Sequence, residues 1–139
     1  MIFFETLHEH AISIDFAMFV VIWMVQLIIY PAFNSIADCN FSEWHAKYCR
    51  QIAWFVLPLM VSQVLESTVS CFFVGDICSW VRFICVLLAW AVTFFHSARQ
   101  HRKLTIYGKK TEFIDSLLTG NWIRTFLWTI VFLASYLNY

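Results

Sequence analysis

Charge, glycine and proline are all scarce in this 139-residue chain: charged residues make up 13% of it, with three Gly and two Pro. So little Gly and Pro leaves no flexible linker, and one domain covering residues 1–139 is expected. Nine Lys and Arg balance nine Asp and Glu. That balance argues against a nucleic-acid partner, because phosphate binding needs a surplus of cations on a solvent face. None of the five Cys forms a Cys-x-x-Cys pair, which removes the strongest sequence mark of a thiol oxidoreductase. Lys and Arg are missing from the start of the chain, and no small-residue cleavage site follows the first apolar run. A removable leader is therefore not expected.

What the chain does have is apolar surface, with 61% hydrophobic and 19% aromatic residues. This composition belongs to a protein whose partner is the lipid bilayer. Apolar runs place spans at about 12–33, 52–73, 77–96 and 118–137. The first would be about 33 Å long as a helix, close to the ~30 Å hydrocarbon thickness. Lys47, Arg50, Arg99, Arg102, Lys103, Lys109, Lys110 and Arg124 gather at one set of span ends, and Arg82 alone at the other. Cations accumulate on the cytoplasmic side. The expected fold is an all-α, integral membrane, antiparallel up-down four-helix bundle with both termini non-cytoplasmic, and the expected location is the bacterial inner membrane.

Local signals refine that layout. Tyr30-Pro31 suggests the end of the first span, since proline disfavours helix at the residue before it. Asn40-Phe41-Ser42-Glu43 has the spacing of a capping box. Phe41, Trp44, Tyr48, Ile52, Phe55 and Leu59 recur at three- and four-residue steps, so the second helix starts outside the membrane and runs on to about Val69 or Phe73, with Pro58 a candidate kink. Gly75-Asp76 marks a turn, and Arg82 is placed to snorkel outward. The stretch Arg99 to Lys110 reads as a basic loop, followed by a short amphipathic piece, Thr111 to Leu118.

Polar residues fall into two layers. Near the cytoplasmic end are His45, Tyr48, His101, Asn121 and Arg124, with Thr93, Ser97 and Tyr30 at a similar level. On an ideal helix Thr93, Ser97 and His101 share a face, while His96 lies about 140° from His101, so only one of the two histidines points inward. Paired histidines from facing helices are candidates to hold haem or a transition metal, with His45 and His101 the candidate metal ligands. Arg124 is placed to pair with a carboxylate or phosphate. The competing reading is that these groups anchor helix ends at the membrane interface.

The outer layer contains Asp15, Gln26, Gln63 and Glu66, with His8 and Arg82 near it. Ionisable groups inside a span usually line a cavity or pair with one another. A protonated Glu66 bonded to Gln63 is one reading, and a proton or solute pathway is another. The tripeptide His8-Glu9-His10 invites a metal, but its histidines lack the four-residue spacing of the zinc-protease helix. Cys71 and Cys78 flank the outer turn, where either a disulfide or two free thiols would fit.

The series Trp23, Gln26, Tyr30-Pro31, then Phe41, Trp44-His45, then Pro58, Met60, and finally Asn121-Trp122-x-Arg124-Thr125 resembles a family of small, largely uncharacterised bacterial four-helix membrane proteins. The resemblance covers nearly the whole chain. It implies the bundle fold and an inward placement for His45, His101, Asn121 and Arg124. Ile29, Gln63 and Ser97-Ala98-Arg99 depart from the family pattern, which weakens any metal site needing ligands there. A looser similarity of architecture exists with bacterial membrane-bound haem-binding protoporphyrinogen oxidases. The functions in play are a cofactor, metal or small-anion binder, an accessory subunit with a protein partner or homo-oligomeric contacts, and an oligomeric transporter.

Overall fold

The computed structural model describes residues 2–138, with side chains described for 5–138. Met1, on which the leader reading partly depends, and Tyr139 lie outside the described residues. After a short helix α1 (Ile2–Glu9), α2 (Ala11–Met24) passes through a π-helical turn, Val25–Ile29, a helical turn, Tyr30–Ala32, and a 3-10 turn, Phe33–Ser35. The second rod is α3 (Phe41–Phe73), about 50 Å long at ~1.5 Å per residue. The third is α4 (Ile77–Val92), continued by a second π turn, Thr93–Ser97, and α5 (Ala98–Tyr107). The fourth is α6 (Thr111–Leu137). These four rods are each long and apolar enough to cross a membrane. Each packs against its two neighbours, α2 and α4 on α3 and on α6, as in a four-helix bundle.

Burial follows from that arrangement. Met18, Ile22, Met60, Val86, Ala89, Trp128 and Val131 fill the centre. A second cluster at the basic end is built from Tyr30, Phe33, Phe41, Leu104, Ile114 and Leu117. The outward faces carry Trp54 at 81% exposure, Ile77 at 80% and Phe95 at 82%. Apolar surface on this scale is unusual on a soluble monomer and suits lipid contact.

Several local expectations are corrected. Helix continues through Tyr30-Pro31 to Ser35, because proline is tolerated in the first turn of the new α segment after the π turn. Asn40 does precede α3, but its side chain makes no cap bond. A 3-10 turn, Asp38–Asn40, leads straight into the helix instead. The basic stretch is not a loop: α5 carries helix to Tyr107, and only Gly108 to Lys110 separates it from α6. Gly108 makes this turn with φ +78°, a left-handed conformation that glycine adopts without steric cost. Thr111 to Leu118 is the first part of α6, not a separate piece. Lys109 does more than mark topology, since its Nζ donates to the Asn34 and Ile36 carbonyls at 2.8 Å each and lies 3.2 Å from Asp38. It ties the connection before α3 to the one before α6.

At the opposite end Gly75, with φ +70°, makes the turn into α4. Asp76 caps α4 by accepting from the Ser79 N–H at 2.7 Å. That backbone bond holds the Asp76 carboxyl below the usual carboxylate range. Cys71 and Cys78, on either side of this turn, are free thiols. The disulfide alternative is therefore absent from the structure.

Candidate functional site

The termini end and the basic end each hold a buried polar cluster, and each cluster is centred on an arginine. At the termini end Arg82 is not snorkelled outward but is 4% exposed. Its Nε and NH2 meet Asp15 Oδ2 at 2.9 and 2.7 Å, and NH2 meets Glu66 Oε2 at 2.6 Å. Gln63 donates to Asp15 Oδ1 at 2.8 Å and accepts from the Trp128 indole N–H at 3.0 Å. Gln63 thus bonds Asp15, where Glu66 was the expected partner. Glu66 instead accepts from Ser70 at 2.5 Å and lies 2.9 Å from His8 Nδ1. His8 therefore folds back onto the bundle although its side chain is 60% exposed. The carboxylates in this layer are bound to neighbouring side chains, and a buried pair of this kind holds geometry most firmly when every lone pair is satisfied.

At the basic end the polar groups form one connected chain. Thr105 Oγ1 donates to the His101 carbonyl at 3.1 Å, so it accepts from His45 Nδ1–H at 2.9 Å. The remaining His45 nitrogen, Nε2, then accepts from His101 Nδ1–H at 3.0 Å. His101 Nε2 accepts from the Tyr30 hydroxyl at 2.9 Å, and Tyr30 in turn accepts from Arg124 NH1 at 3.5 Å. Hydrogen-bond partners alone assign both tautomers in this sequence. Arg124 NH1 also donates to Asn121 Oδ1 at 3.0 Å and Ser97 Oγ at 3.3 Å. Asn121 Nδ2 passes the chain on to Gln26 Oε1 at 2.8 Å, and Gln26 ends it on the Leu118 carbonyl at 3.5 Å.

His45, His101, Asn121 and Arg124 are thus brought together. Gln26 is corrected from the outer layer to this one, because Asn121 takes it up from across the bundle. Of the outer set only Asp15, Gln63 and Glu66 share a cluster. Tyr48 lies beside the histidines, stacked on Trp44 with ring centroids 5.6 Å apart. His96 turns away, as expected if His101 points inward. Its Nε2 lies 3.3 Å from Ser116 Oγ, and its ring packs against Gly120, where any Cβ would overlap it.

Three features were not anticipated. Cys49 sits one helical turn after His45, with Sγ 3.7 Å from His45 Nε2 and 3.6 Å from His101 Nδ1. Thr105, one turn after His101, orients His45. The spacing of four residues in both pairs was the available signal. Third, both π turns lie at this level and contribute Gln26 and Ser97. Single π turns recur at functional sites because they rotate the following residues relative to the preceding helix.

Beside this chain of bonds lies a cavity of about 310 Å³. Met18, Ile22, Ile52 and Met60 line its apolar part, and Tyr30, Ser97, His101 and Arg124 its polar end. Arg124 is the one contribution of α6 to that lining. It is 7% exposed, its guanidinium lies 5.1 Å over the Trp128 ring, and its Nε is buried without a hydrogen-bond partner. Among the described residues no carboxylate pairs with Arg124.

The fold defines a four-helix protein with the hallmarks of membrane insertion and a half-open cavity between its helices. No family model, curated protein or solved structure matches the chain. The site is accordingly read from its own geometry.

Proposed function

We propose that the chain binds an amphipathic anion, with a carboxylate or phosphate head on Arg124 and an apolar tail along Met18, Ile22, Ile52 and Met60. The observation that carries this reading is the cation itself. Arg124 is buried, has an unpartnered Nε, meets neutral acceptors among the described residues, and is part of the cavity lining. An uncompensated buried charge is costly, and an anion is what offsets it. Guanidinium suits oxyanions in particular because its N–H groups can donate in parallel pairs. Tyr30 and Ser97 stand beside Arg124 and would contact the head group. The cavity lies within the size range of small-molecule sites.

A haem is less well suited. His45 Nε2 and His101 Nδ1 are 3.0 Å apart in a direct hydrogen bond, whereas two axial nitrogens across one iron would stand about 4 Å apart with metal–nitrogen bonds near ~2 Å. Transport through Asp15, Gln26, Gln63 and Glu66 draws no support from these contacts, since Arg82 takes up the two carboxylates and Gln26 bonds Asn121 at the other end. For location, we assign the basic end to the cytoplasm of a bacterial inner membrane, on the strength of the positive-inside rule and the sequence resemblance.

The test is a thermal-unfolding comparison of purified protein with a long-chain fatty acid or alkyl phosphate and with the alcohol of equal chain length. The anions should raise the midpoint and the alcohol should not. Stabilisation should reach about 2.7 kcal/mol at a hundredfold excess over Kd. Equal shifts from anion and alcohol would remove Arg124 from the explanation.

A further inference from the structure

We infer that His45, Cys49 and His101 form a binding site for a thiophilic transition-metal ion of the zinc or copper class, bordering the cavity. The three donor atoms come from two facing rods, α3 and α5. His45 and Cys49 occupy successive turns of one helix face, so their donors converge without distorting the backbone. The measured triangle is 3.0 Å from His45 Nε2 to His101 Nδ1, and 3.7 and 3.6 Å from Cys49 Sγ to those nitrogens. A tetrahedral ion with metal–nitrogen bonds of about 2.05 Å and a metal–sulfur bond of about 2.3 Å separates its nitrogens by about 3.3 Å and nitrogen from sulfur by about 3.6 Å. Cys49 Sγ also lies 3.9 Å from His45 Nδ1, so loading an ion requires the His45 ring to turn its Nε2 towards the sulfur as well as an opening of a few tenths of an ångström between the two imidazoles.

The surroundings suit the same purpose. Metal-bound histidines characteristically donate their second ring N–H to an oxygen. His45 Nδ1–H already does so to Thr105, and His101 Nε2 already faces the Tyr30 hydroxyl. On binding, Cys49 loses its thiol proton to solvent. The His101 proton moves from Nδ1 to Nε2, and Tyr30 changes from donor to acceptor at that nitrogen. Its hydroxyl hydrogen is then released from His101. Thiolate and imidazole together select zinc and copper over magnesium or calcium. Three protein ligands leave a fourth position open, and Cys49 and His101 themselves line the cavity. The two proposed sites share Tyr30 and the cavity wall at His101, but Cys49 and Thr105 serve the metal alone and Arg124 the anion alone, so substitutions there let each proposal fail without the other.

The test uses the full chain in detergent, stripped with a chelator and titrated with Co²⁺. One Co²⁺ per chain should bind with a thiolate-to-cobalt charge-transfer absorption that Zn²⁺ displaces. Cys49→Ser should abolish this absorption, Cys39→Ser should leave it intact, and Thr105→Val should weaken affinity about 10–100-fold. In the unmutated chain Zn²⁺ should also protect Cys49 from alkylation while exposed Cys39 reacts, which keeps the test independent of how Cys49→Ser folds. Absence of the charge-transfer band, its survival in folded Cys49→Ser, or alkylation of Cys49 unaffected by Zn²⁺ would overturn the assignment.

Discussion

Arg82 and Arg124 are both buried in one bundle, yet their surroundings differ in kind. Arg82 meets two carboxylates, each fixed by further donors. Arg124 meets a phenol, a hydroxyl and an amide, its Nε is buried without a partner, and the residue forms part of the cavity lining. A cation neutralised within the fold contributes to holding the helices together. One left uncompensated is a position where an external anion gains most, since its charge is met in a medium that screens little. On the proposed reading, the pair separates the end of the bundle that maintains structure from the end that would take a ligand.

Substitutions at the two arginines test this contrast most strongly. Arg82→Gln leaves Asp15 and Glu66 facing each other without their cation. It should destabilise the fold by about 3–5 kcal/mol in denaturant unfolding in detergent. If Arg82→Gln costs no more than Arg124→Gln, the structural role assigned to the outer cluster is lost. Next in size is Gly120→Ala, where the new methyl group meets the His96 ring. Overpacking of this kind should cost about 1–3 kcal/mol, and His96→Ala in the same chain should restore most of it.

A change of similar size tests the link between the outer cluster and α6 while keeping a ring beneath Arg124. Trp128→Phe removes the donor to Gln63 Oε1 and leaves that acceptor buried, for an expected loss of about 1–3 kcal/mol. At the low end, Arg124→Gln should change stability of the ligand-free protein by about 1 kcal/mol or less, because lost hydrogen bonds and the relieved buried charge oppose one another. Ligand binding should nevertheless disappear in that variant.

The four apolar runs and their order are legible in hydropathy, because a membrane span must satisfy its backbone internally and remain apolar for about twenty residues. Helix extension beyond the bilayer is less legible. Residues Arg99 to Tyr107 are polar enough to read as loop, yet they are helical because Leu104 is buried with Ile114 and Leu117 in the core at the basic end. The π turns leave no trace in composition, since they are a slip in hydrogen-bond register. Gln26 was sorted with Asp15 by helix face alone, although eleven residues at ~1.5 Å each set the two about 16 Å apart along the rod, which puts Gln26 at the level of Asn121. Cys49 was visible as a residue but not as a neighbour of His101, a relation set by tertiary contact between α3 and α5.

The most direct measurement is native mass spectrometry of the chain released from lipid nanodiscs, alongside its Arg124→Gln variant. Expected is an added mass corresponding to one anionic amphiphile on the unmutated chain, absent from Arg124→Gln while that variant remains folded. The same added mass on both proteins would contradict a site organised around the Arg124 guanidinium, and so would no added mass on either.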